Sequence, residues 1–186
     1  MTDAMTQHQQ LVELLLARSV KRGTFTLASG QQSDIYIDVR LTSMSPEGLS
    51  LLGPLALAAI RERNWPADAV GGMTLGADPI SYAISYASNL APPTLRAFTV
   101  RKEAKAHGTG KQIEGPFRSG DNVVIIEDVI TTGASALRAI EAVSSAGGNI
   151  SGVIAVVDRE DGGKETISAS GYDVISLVTI TELRSR

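Results

Sequence analysis

The sequence lacks cysteine, is poor in aromatic residues and carries no long apolar run. Because none of its 186 residues is cysteine, disulfides, thiolate metal sites and cysteine nucleophiles are excluded, which fits a reducing compartment. No run reaches the roughly 18 apolar residues that a membrane-spanning helix needs. The opening segment, MTDAMTQHQQ, has no apolar core of a signal peptide. We therefore expect a cytoplasmic protein with no membrane partner.

The charge balance limits the class of protein further. The 17 basic and 20 acidic side chains give a net charge of −3, which speaks against a chain whose main task is to neutralise nucleic-acid phosphates. A hydrophobic fraction of 43% with 20% charged residues is ordinary for a globular protein. The length suits one domain, so we treat residues 1–186 as a single domain in which residues 1–45 form most of an N-terminal hood.

Short runs rich in valine and isoleucine alternate with helical patterns over most of the chain. Helical stretches fall near residues 78–89 and 134–146, and the apolar runs occupy residues 69–73, 94–100, 123–126, 150–157 and 174–178. Continuous apolar runs that are separated by helices are typical of strands covered on both faces. The sequence therefore predicts an α/β fold with a mainly parallel open sheet flanked by helices.

The N-terminal part predicts a different arrangement. The spacing of Leu11, Leu14 and Leu15 indicates an amphipathic helix over residues 7–22 that Gly23 closes. The segment FTLASGQQSDIYIDVR then alternates on both sides of a turn, which indicates a hairpin. Later in the chain, residues 101–117 are neither strand-like nor helix-like, and loops of that length are usually functional or disordered.

The strongest chemical signal is VVIIEDVITTGAS, residues 123–135, which joins an apolar strand to two acids and a hydroxyl-rich turn. In an open α/β sheet, ligands bind at the carboxyl ends of the strands, where Glu127 and Asp128 are expected. The turn that follows offers hydroxyls and free backbone amides at a helix start, which suit a phosphate. The combination predicts a site for a phosphorylated sugar. The alternative is that the acids and threonines only make local turn hydrogen bonds.

Two other phosphate motifs are absent from the sequence. A P-loop needs a glycine five positions before its Gly-Lys pair and a serine or threonine after it, whereas Gly110 and Lys111 are flanked by Lys105 and Gln112. No GxGxxG segment follows a predicted strand either. An ATPase or an NAD enzyme is therefore disfavoured.

The second signal is RKEAKAHGTGKQIEG, residues 101–115, a glycine-containing segment in which basic side chains outnumber acidic ones. A solvated basic loop is one interpretation. The other is a mobile lid that closes over a pyrophosphate group. Such a loop of fifteen residues, folded out and back, has a reach of about 20 Å at roughly 3.3 Å per residue, which is enough to enter a neighbouring subunit.

Together these segments resemble the type I phosphoribosyltransferases, whose signature for phosphoribosyl pyrophosphate (PRPP) is two hydrophobics, two acids and a turn rich in threonine and glycine. The lid and the hairpin narrow the resemblance to the orotate phosphoribosyltransferases, which make orotidine 5′-monophosphate from orotate and PRPP. The likeness covers nearly the whole chain, in the order FTLASG, GGMTLG, RKEAKAHG, EDVITTG and VVDRE. The EDVITTG segment alone would not distinguish this member from others.

The resemblance implies roles for particular residues. Residues 72–76 look like the loop that faces the pyrophosphate. The implied catalytic residues are Lys105, His107, Arg101 and Asp128. The implied PRPP-binding residues are Arg101, Lys102, Lys105, His107, Glu127, Asp128, Thr131, Thr132, Gly133, Ala134 and Ser135. The implied orotate-binding residues are Tyr36, Ile37, Thr131 and Arg159, with Ser33 on the same hairpin.

The resemblance also implies a cofactor and a partner. Mg²⁺ is expected as the cofactor, held mainly through PRPP with no direct protein ligand. The expected partner is a second copy of the chain, in a homodimer in which the lid of one subunit completes the other's active site. No nucleic-acid partner is expected. Ala28 and Leu75 depart from the family pattern, since well-known members have a lysine at each position, and no role is transferred to them.

Two alternatives stay open at this point. A phosphoribosyltransferase for a purine or for uracil would keep EDVITTG and need a different base pocket. A PRPP-sensing regulator that has lost catalysis would keep the binding loop, although such a module usually needs a nucleic-acid surface that a chain of net charge −3 does not suggest.

Overall fold

The computed structural model describes residues 6–26, 32–103 and 112–186. The helices are α1 (Gln7–Arg18), α2 (Arg40–Ser43), α3 (Pro46–Glu62), α4 (Ala77–Leu90), α5 (Ala134–Ser145), α6 (Gly163–Ala169) and α7 (Ile180–Arg184). The strands are β1 (Val20–Thr26), β2 (Gln32–Ile37), β3 (Ala69–Met73), β4 (Arg96–Val100), β5 (Ile113–Glu114), β6 (Asn122–Ile130), β7 (Asn149–Asp158) and β8 (Val174–Thr179). None of the helices in this described part is both long and apolar enough to cross a membrane.

The central sheet has six strands in the order β5-β4-β3-β6-β7-β8. Strands β3, β4, β6, β7 and β8 pair in parallel, and only the short edge strand β5 is antiparallel. The chain runs from β3 to β4 on one side and then crosses to β6, β7 and β8 on the other. The mainly parallel open sheet that the sequence predicts is therefore confirmed.

Alternate residues of the central strands feed two separate cores. Val124 and Ile126 of β6 pack with α1, α3 and α4, whereas Val123 and Ile125 pack with α5 and α6. All four side chains are essentially buried. This burial on both faces explains why the strands read as unbroken apolar runs.

The N-terminal helix is shorter than the sequence predicts. Its start is fixed by a capping box, in which Thr6 Oγ1 accepts from the Gln9 amide at 3.2 Å and Gln9 Oε1 accepts from the Thr6 amide at 2.8 Å. The helix ends at Arg18, so the predicted end near Gly23 is wrong. The reason is strand pairing, since Val20 pairs with Ile37 in the two-stranded β1–β2 sheet and leaves the helical pattern.

The end of the described chain holds this two-stranded sheet in place. Arg184 of α7 forms an ion pair with Asp34 of β2, at 2.6 Å between Nη2 and Oδ1. Arg22 of β1 donates to the Leu183 carbonyl at 3.4 Å. The predicted long loop over residues 101–117 also needs correction, because Ile113 and Glu114 form the edge strand β5 beside β4.

Candidate active site

A cleft of about 520 Å³ opens at the carboxyl ends of β3 and β6. These strands are neighbours in the sheet, but the connections that leave them run to opposite sides of it. Such a point, where the strand order reverses, is where open α/β sheets bind ligands. The cleft therefore lies where the topology favours a site.

Two adjacent acids lie at this end of β6. Glu127 is only 7% exposed, and burial, together with the neighbouring Asp128 carboxylate, raises the pKa of Glu127 well above its ordinary value. Asp128 is more open, and its Oδ1 accepts from the Val129 amide at 2.9 Å. Both acids line the cleft. The pair thus combines a buried carboxyl, whose charged form is disfavoured, with a more accessible one.

A hydroxyl-rich turn follows β6 and opens α5. Thr131, Thr132 and Ser135 line the main cleft, and Gly133 and Ala134 help to line a smaller pocket of about 80 Å³ beside it. Gly133 has φ 81°, a left-handed conformation that favours glycine, and α5 begins at the next residue. The first residues of α5 therefore lie at the pocket, and a helix N-terminus offers the backbone amides that an anion site requires.

The loop after β3 is fastened by a carboxylate that the sequence analysis missed. Asp78 of α4 accepts from Thr74 Oγ1 at 2.7 Å and from Thr99 Oγ1 of β4 at 2.8 Å. Thr99 in turn contacts the hydroxyl of Tyr82 at 2.9 Å. Thr74, Leu75 and Gly76 line the cleft. Hydrogen bonds therefore tie this part of the cleft wall to strand β4.

The hairpin and the end of β7 also contribute to the cleft, where Tyr36, Ile37 and Arg159 are all lining residues. Arg159 is 7% exposed. Its Nε donates to Asp161 at 2.9 Å and its Nη2 to Ser33 Oγ at 3.4 Å. This buried, oriented guanidinium can pair with a planar anionic ligand.

Of the residues predicted to form the lid, the structure describes Arg101 and Lys102, and only Lys102 lines the cleft. Lys102 lines the cleft, whereas Arg101 forms an ion pair with Glu114 at 3.5 Å and is not among the lining residues. Lys105 and His107, and also Ala28 of the hairpin, lie outside the described residues.

Three further charged residues that were not predicted line the same cleft: Asp38, Arg40 and Arg138. Asp38 and Arg40 continue the hairpin strand that was singled out, so their position in the sequence is a signal that could have found them. Arg138 follows Ser135 by one helical turn and approaches its hydroxyl at 3.5 Å. Residues three positions apart on a helix are neighbours, so the spacing from Ser135 is the sequence feature that could have identified Arg138.

The described part of the cleft offers few side-chain ligands to a metal ion. Within the described ranges, no group of three or more His, Asp or Glu side chains could hold a metal ion. Two acids, Glu127 and Asp128, lie together, and Glu127 is the more buried. The donor set therefore suits a divalent cation only if a bound ligand supplies most of the oxygen atoms.

Comparisons with known proteins identify relatives along nearly the whole chain. No protein-family model matches the sequence. The orotate phosphoribosyltransferase of Aquifex aeolicus is 43% identical over 182 residues, which is 96% of this chain and 98% of that protein. The corresponding enzyme of Rhodopirellula baltica is 42% identical over 92% of this chain and 91% of its own length.

Solved structures agree with these relatives. The orotate phosphoribosyltransferase of Mycobacterium tuberculosis in complex with PRPP superposes with a TM-score of 0.82 at 36% identity, over 96% of this chain and 99% of that one. The fold, the sequence and the chain length thus all match those of orotate phosphoribosyltransferases. The chain belongs to this family, whose members are pentosyltransferases of pyrimidine biosynthesis.

Proposed function

We propose that this chain transfers the phosphoribosyl group of PRPP to orotate, with release of pyrophosphate and formation of orotidine 5′-monophosphate, through the residues of the cleft described above. The observation that carries the proposal is that the acid pair, the hydroxyls of the turn after β6, the loop after β3 and Arg159 line the same cleft. An anionic base and a phosphorylated sugar would meet there.

The turn after β6 binds the 5′-phosphate of PRPP in this proposal. Its ligands are the hydroxyls and amides of Thr131, Thr132, Gly133, Ala134 and Ser135. Asp128 and Glu127 accept hydrogen bonds from the ribose hydroxyls. At the other end, Tyr36 and Ile37 shelve the base and Arg159 pairs with the orotate carboxylate. In this proposal Thr131, which lines the same cleft, contacts the base as well.

The reaction is a displacement at the anomeric carbon. The bond from this carbon to a pyrophosphate oxygen breaks, its electron pair leaves with pyrophosphate, and a nitrogen of orotate forms the new bond from the opposite face. The N–H bond of that nitrogen breaks, and its proton passes to solvent. Asp128 stabilises positive charge on the ribose, and Lys105, His107 and Arg101 stabilise negative charge on the leaving group. His107 can donate a proton to pyrophosphate.

Mg²⁺ is proposed to enter with PRPP. Its ligands would be mainly oxygen atoms of PRPP, with no direct protein ligand, and bound Mg²⁺ would neutralise charge on the pyrophosphate. Lys102, Lys105 and Arg101 would share that task from the lid. Closure of the lid would also exclude water, which otherwise competes with orotate for PRPP.

A homodimer with a shared lid is part of the proposal. Tyr82, Tyr86 and Leu90 follow one another at helical spacing along α4 and are 53%, 68% and 68% exposed. Exposed apolar stripes of this kind favour association. The spacing of Tyr82 and Tyr86 by one helical turn fits either core packing or dimer packing, and their exposure within one chain supports the second.

Mixing two impaired variants tests lid sharing. Lys105→Ala alters the lid and Asp128→Asn alters the cleft, and each alone should lower turnover at least about tenfold. If the lid acts across subunits, each mixed dimer contains one unaltered site, so co-refolded variants should regain activity. Activity that stays at the level of the separate variants would contradict sharing.

The activity itself is tested by loss of orotate absorbance when the purified chain receives PRPP and Mg²⁺. Uracil and hypoxanthine, offered under the same conditions, distinguish the other base specificities. Consumption of orotate alone is expected. PRPP binding without consumption of any base would favour a PRPP sensor instead.

The proposal also covers the domain organisation and the cellular location of the chain. Residues 1–186 would form a single domain in which residues 1–45 form most of an N-terminal hood, and the packing of Leu11 and Leu15 of α1 into the core shared with α3 and α4 supports a single domain. A cytoplasmic location stays a prediction of the sequence.

A further inference from the structure

Arg40 is a cation in the cleft to which neither the sequence nor the mechanism assigns a role. It opens α2 directly after the hairpin, and its side chain is 46% exposed. It lines the main cleft with Gly76 and Asp128, and a neighbouring groove with Leu75. Its guanidinium therefore lies beside the loop after β3. This loop belongs to residues 72–76, which the family resemblance implies face the pyrophosphate.

The guanidinium is held in one orientation. Nε donates to Asp38 Oδ1 at 2.8 Å and Nη2 donates to Asp38 Oδ2 at 2.9 Å, so the pair is bidentate. The same carboxylate accepts from the Arg40 backbone amide at 3.2 Å. One edge of the guanidinium fork, formed by Nε and Nη2, is thus fixed by Asp38. Among the described residues, Nη1 of Arg40 has no hydrogen-bond partner. A guanidinium fixed in this way can present its free donors to a phosphate without losing much side-chain freedom.

The other cations of the cleft are engaged elsewhere. Arg159 is tied to Asp161 and Ser33 at the base end, and Arg138 lies beside Ser135 at the phosphate turn. Leu75, on the rim of the loop after β3, is apolar and 60% exposed. At this end of the described cleft, Arg40 and Lys102 are therefore the groups that can balance the charge of a pyrophosphate.

We propose that Arg40 binds the pyrophosphate group of PRPP, and that Asp38 positions its guanidinium for this contact. The inference rests on the proposed function, which it deepens by naming a further binding residue. The contact would be made to the leaving group and not to the base. Loss of Arg40 should therefore weaken the binding of PRPP and of pyrophosphate, and leave the binding of orotate nearly unchanged.

The test compares Arg40→Ala and Arg40→Lys with Arg63→Ala. Arg63 is a matched control, because it is 44% exposed and forms an ion pair with Asp173 at 2.7 Å away from the cleft. Steady-state assays give KM for PRPP and for orotate and the inhibition constant for pyrophosphate, and titration calorimetry gives PRPP binding directly.

Arg40→Ala should raise KM for PRPP and weaken pyrophosphate inhibition by about tenfold or more, as loss of a charge-assisted hydrogen bond predicts. KM for orotate should change less than about twofold. Arg40→Lys should fall between wild type and Arg40→Ala, since lysine keeps the charge and loses the fork. Asp38→Asn should weaken PRPP binding less than Arg40→Ala, and Arg63→Ala should match the wild type.

The inference is overturned if Arg40→Ala and Arg40→Lys both keep wild-type constants for PRPP and pyrophosphate, or if KM for orotate rises as much as KM for PRPP. Either result with an active wild-type enzyme leaves the proposed function standing. Failure of the proposed function appears separately, as a wild-type chain that does not consume orotate. Circular dichroism of each variant checks that the fold is intact.

Discussion

The carboxylate of Asp128 lies directly against the backbone of Gly76. A Cβ placed on Gly76 would fall 2.4 Å from Asp128 Cγ and 2.5 Å from both carboxylate oxygens. Gly76 has φ −61°, which alanine adopts freely. Space for the Asp128 carboxylate, and not backbone conformation, is therefore what requires glycine at this position.

Gly76→Ala should displace Asp128 and weaken PRPP binding. Overpacking of this kind costs about 1–3 kcal/mol, which corresponds to a loss of affinity of roughly five- to more than a hundredfold. Titration calorimetry with PRPP measures the loss. In an Asp128→Ala background the same substitution should cost little more, because the side chain it would strike is gone. Equal losses in both backgrounds would show that the clash is not the cause.

Glu127→Gln should stabilise the fold while it weakens the enzyme. Burial raises the pKa of Glu127 above its ordinary value of 4.5, so above that pH the unfolded chain releases a proton that the folded chain retains. The stability of the wild type therefore falls as pH rises, and glutamine removes this dependence. The melting temperature of the variant should exceed that of the wild type at pH 8, with the gain shrinking toward pH 4.5.

Glu47→Gln is the control for this comparison. The pKa of Glu47 is lowered by a backbone hydrogen bond and by Arg18, so its charged form favours folding above its ordinary pKa. The variant should show no gain in melting temperature at pH 8. A similar gain in both variants would point to a general charge effect and not to the burial of Glu127.

Asp78→Asn should loosen the loop after β3. The carboxylate accepts from both Thr74 and Thr99, and an amide offers only one accepting oxygen. We expect KM for PRPP to rise about tenfold with KM for orotate nearly unchanged, since a lost hydrogen bond to a charged group costs about 1.5–3 kcal/mol. Thr99→Val removes one of the two bonds and should have a smaller effect. A parallel rise in both KM values would indicate general disruption.

Tyr86→Glu combined with Leu90→Glu should prevent dimer formation. Both side chains are 68% exposed on α4, and charge buried in an apolar interface is strongly unfavourable. Sedimentation velocity at micromolar concentration should show a dimeric wild type and a monomeric variant. Ser168→Glu, at an exposed position of α6, should remain dimeric. A variant that sediments with the wild type would place the interface elsewhere.

The sheet could be predicted from the sequence because its strands are buried on both faces. Val123 and Ile125 face one core and Val124 and Ile126 the other, so no alternation interrupts the apolar run. The end of α1 could not be predicted, because Val20 continues the helical spacing and is drawn into a strand by Ile37, a residue far along the chain.

Apart from the residues that the family resemblance implies, the cleft could be predicted only where neighbours in sequence are neighbours in space. Glu127, Asp128 and Thr131 follow one strand, and their residue types indicate a ligand. The bond between Asp78 and Thr99 spans 21 residues, and that between Arg159 and Ser33 spans 126. Contacts between such distant residues depend on strand order, which local patterns do not specify.

The hairpin and the phosphate-binding turn are held in place by different parts of the molecule. Asp34 and Arg22 of the hairpin are held by Arg184 and the Leu183 carbonyl, whereas the acid pair and the phosphate turn belong to β6 and α5. If the hairpin holds the base as proposed, substitutions in it should change which nucleobase is accepted while binding of the sugar phosphate is preserved. Such modularity makes this architecture evolvable, because selectivity and chemistry can diverge one at a time.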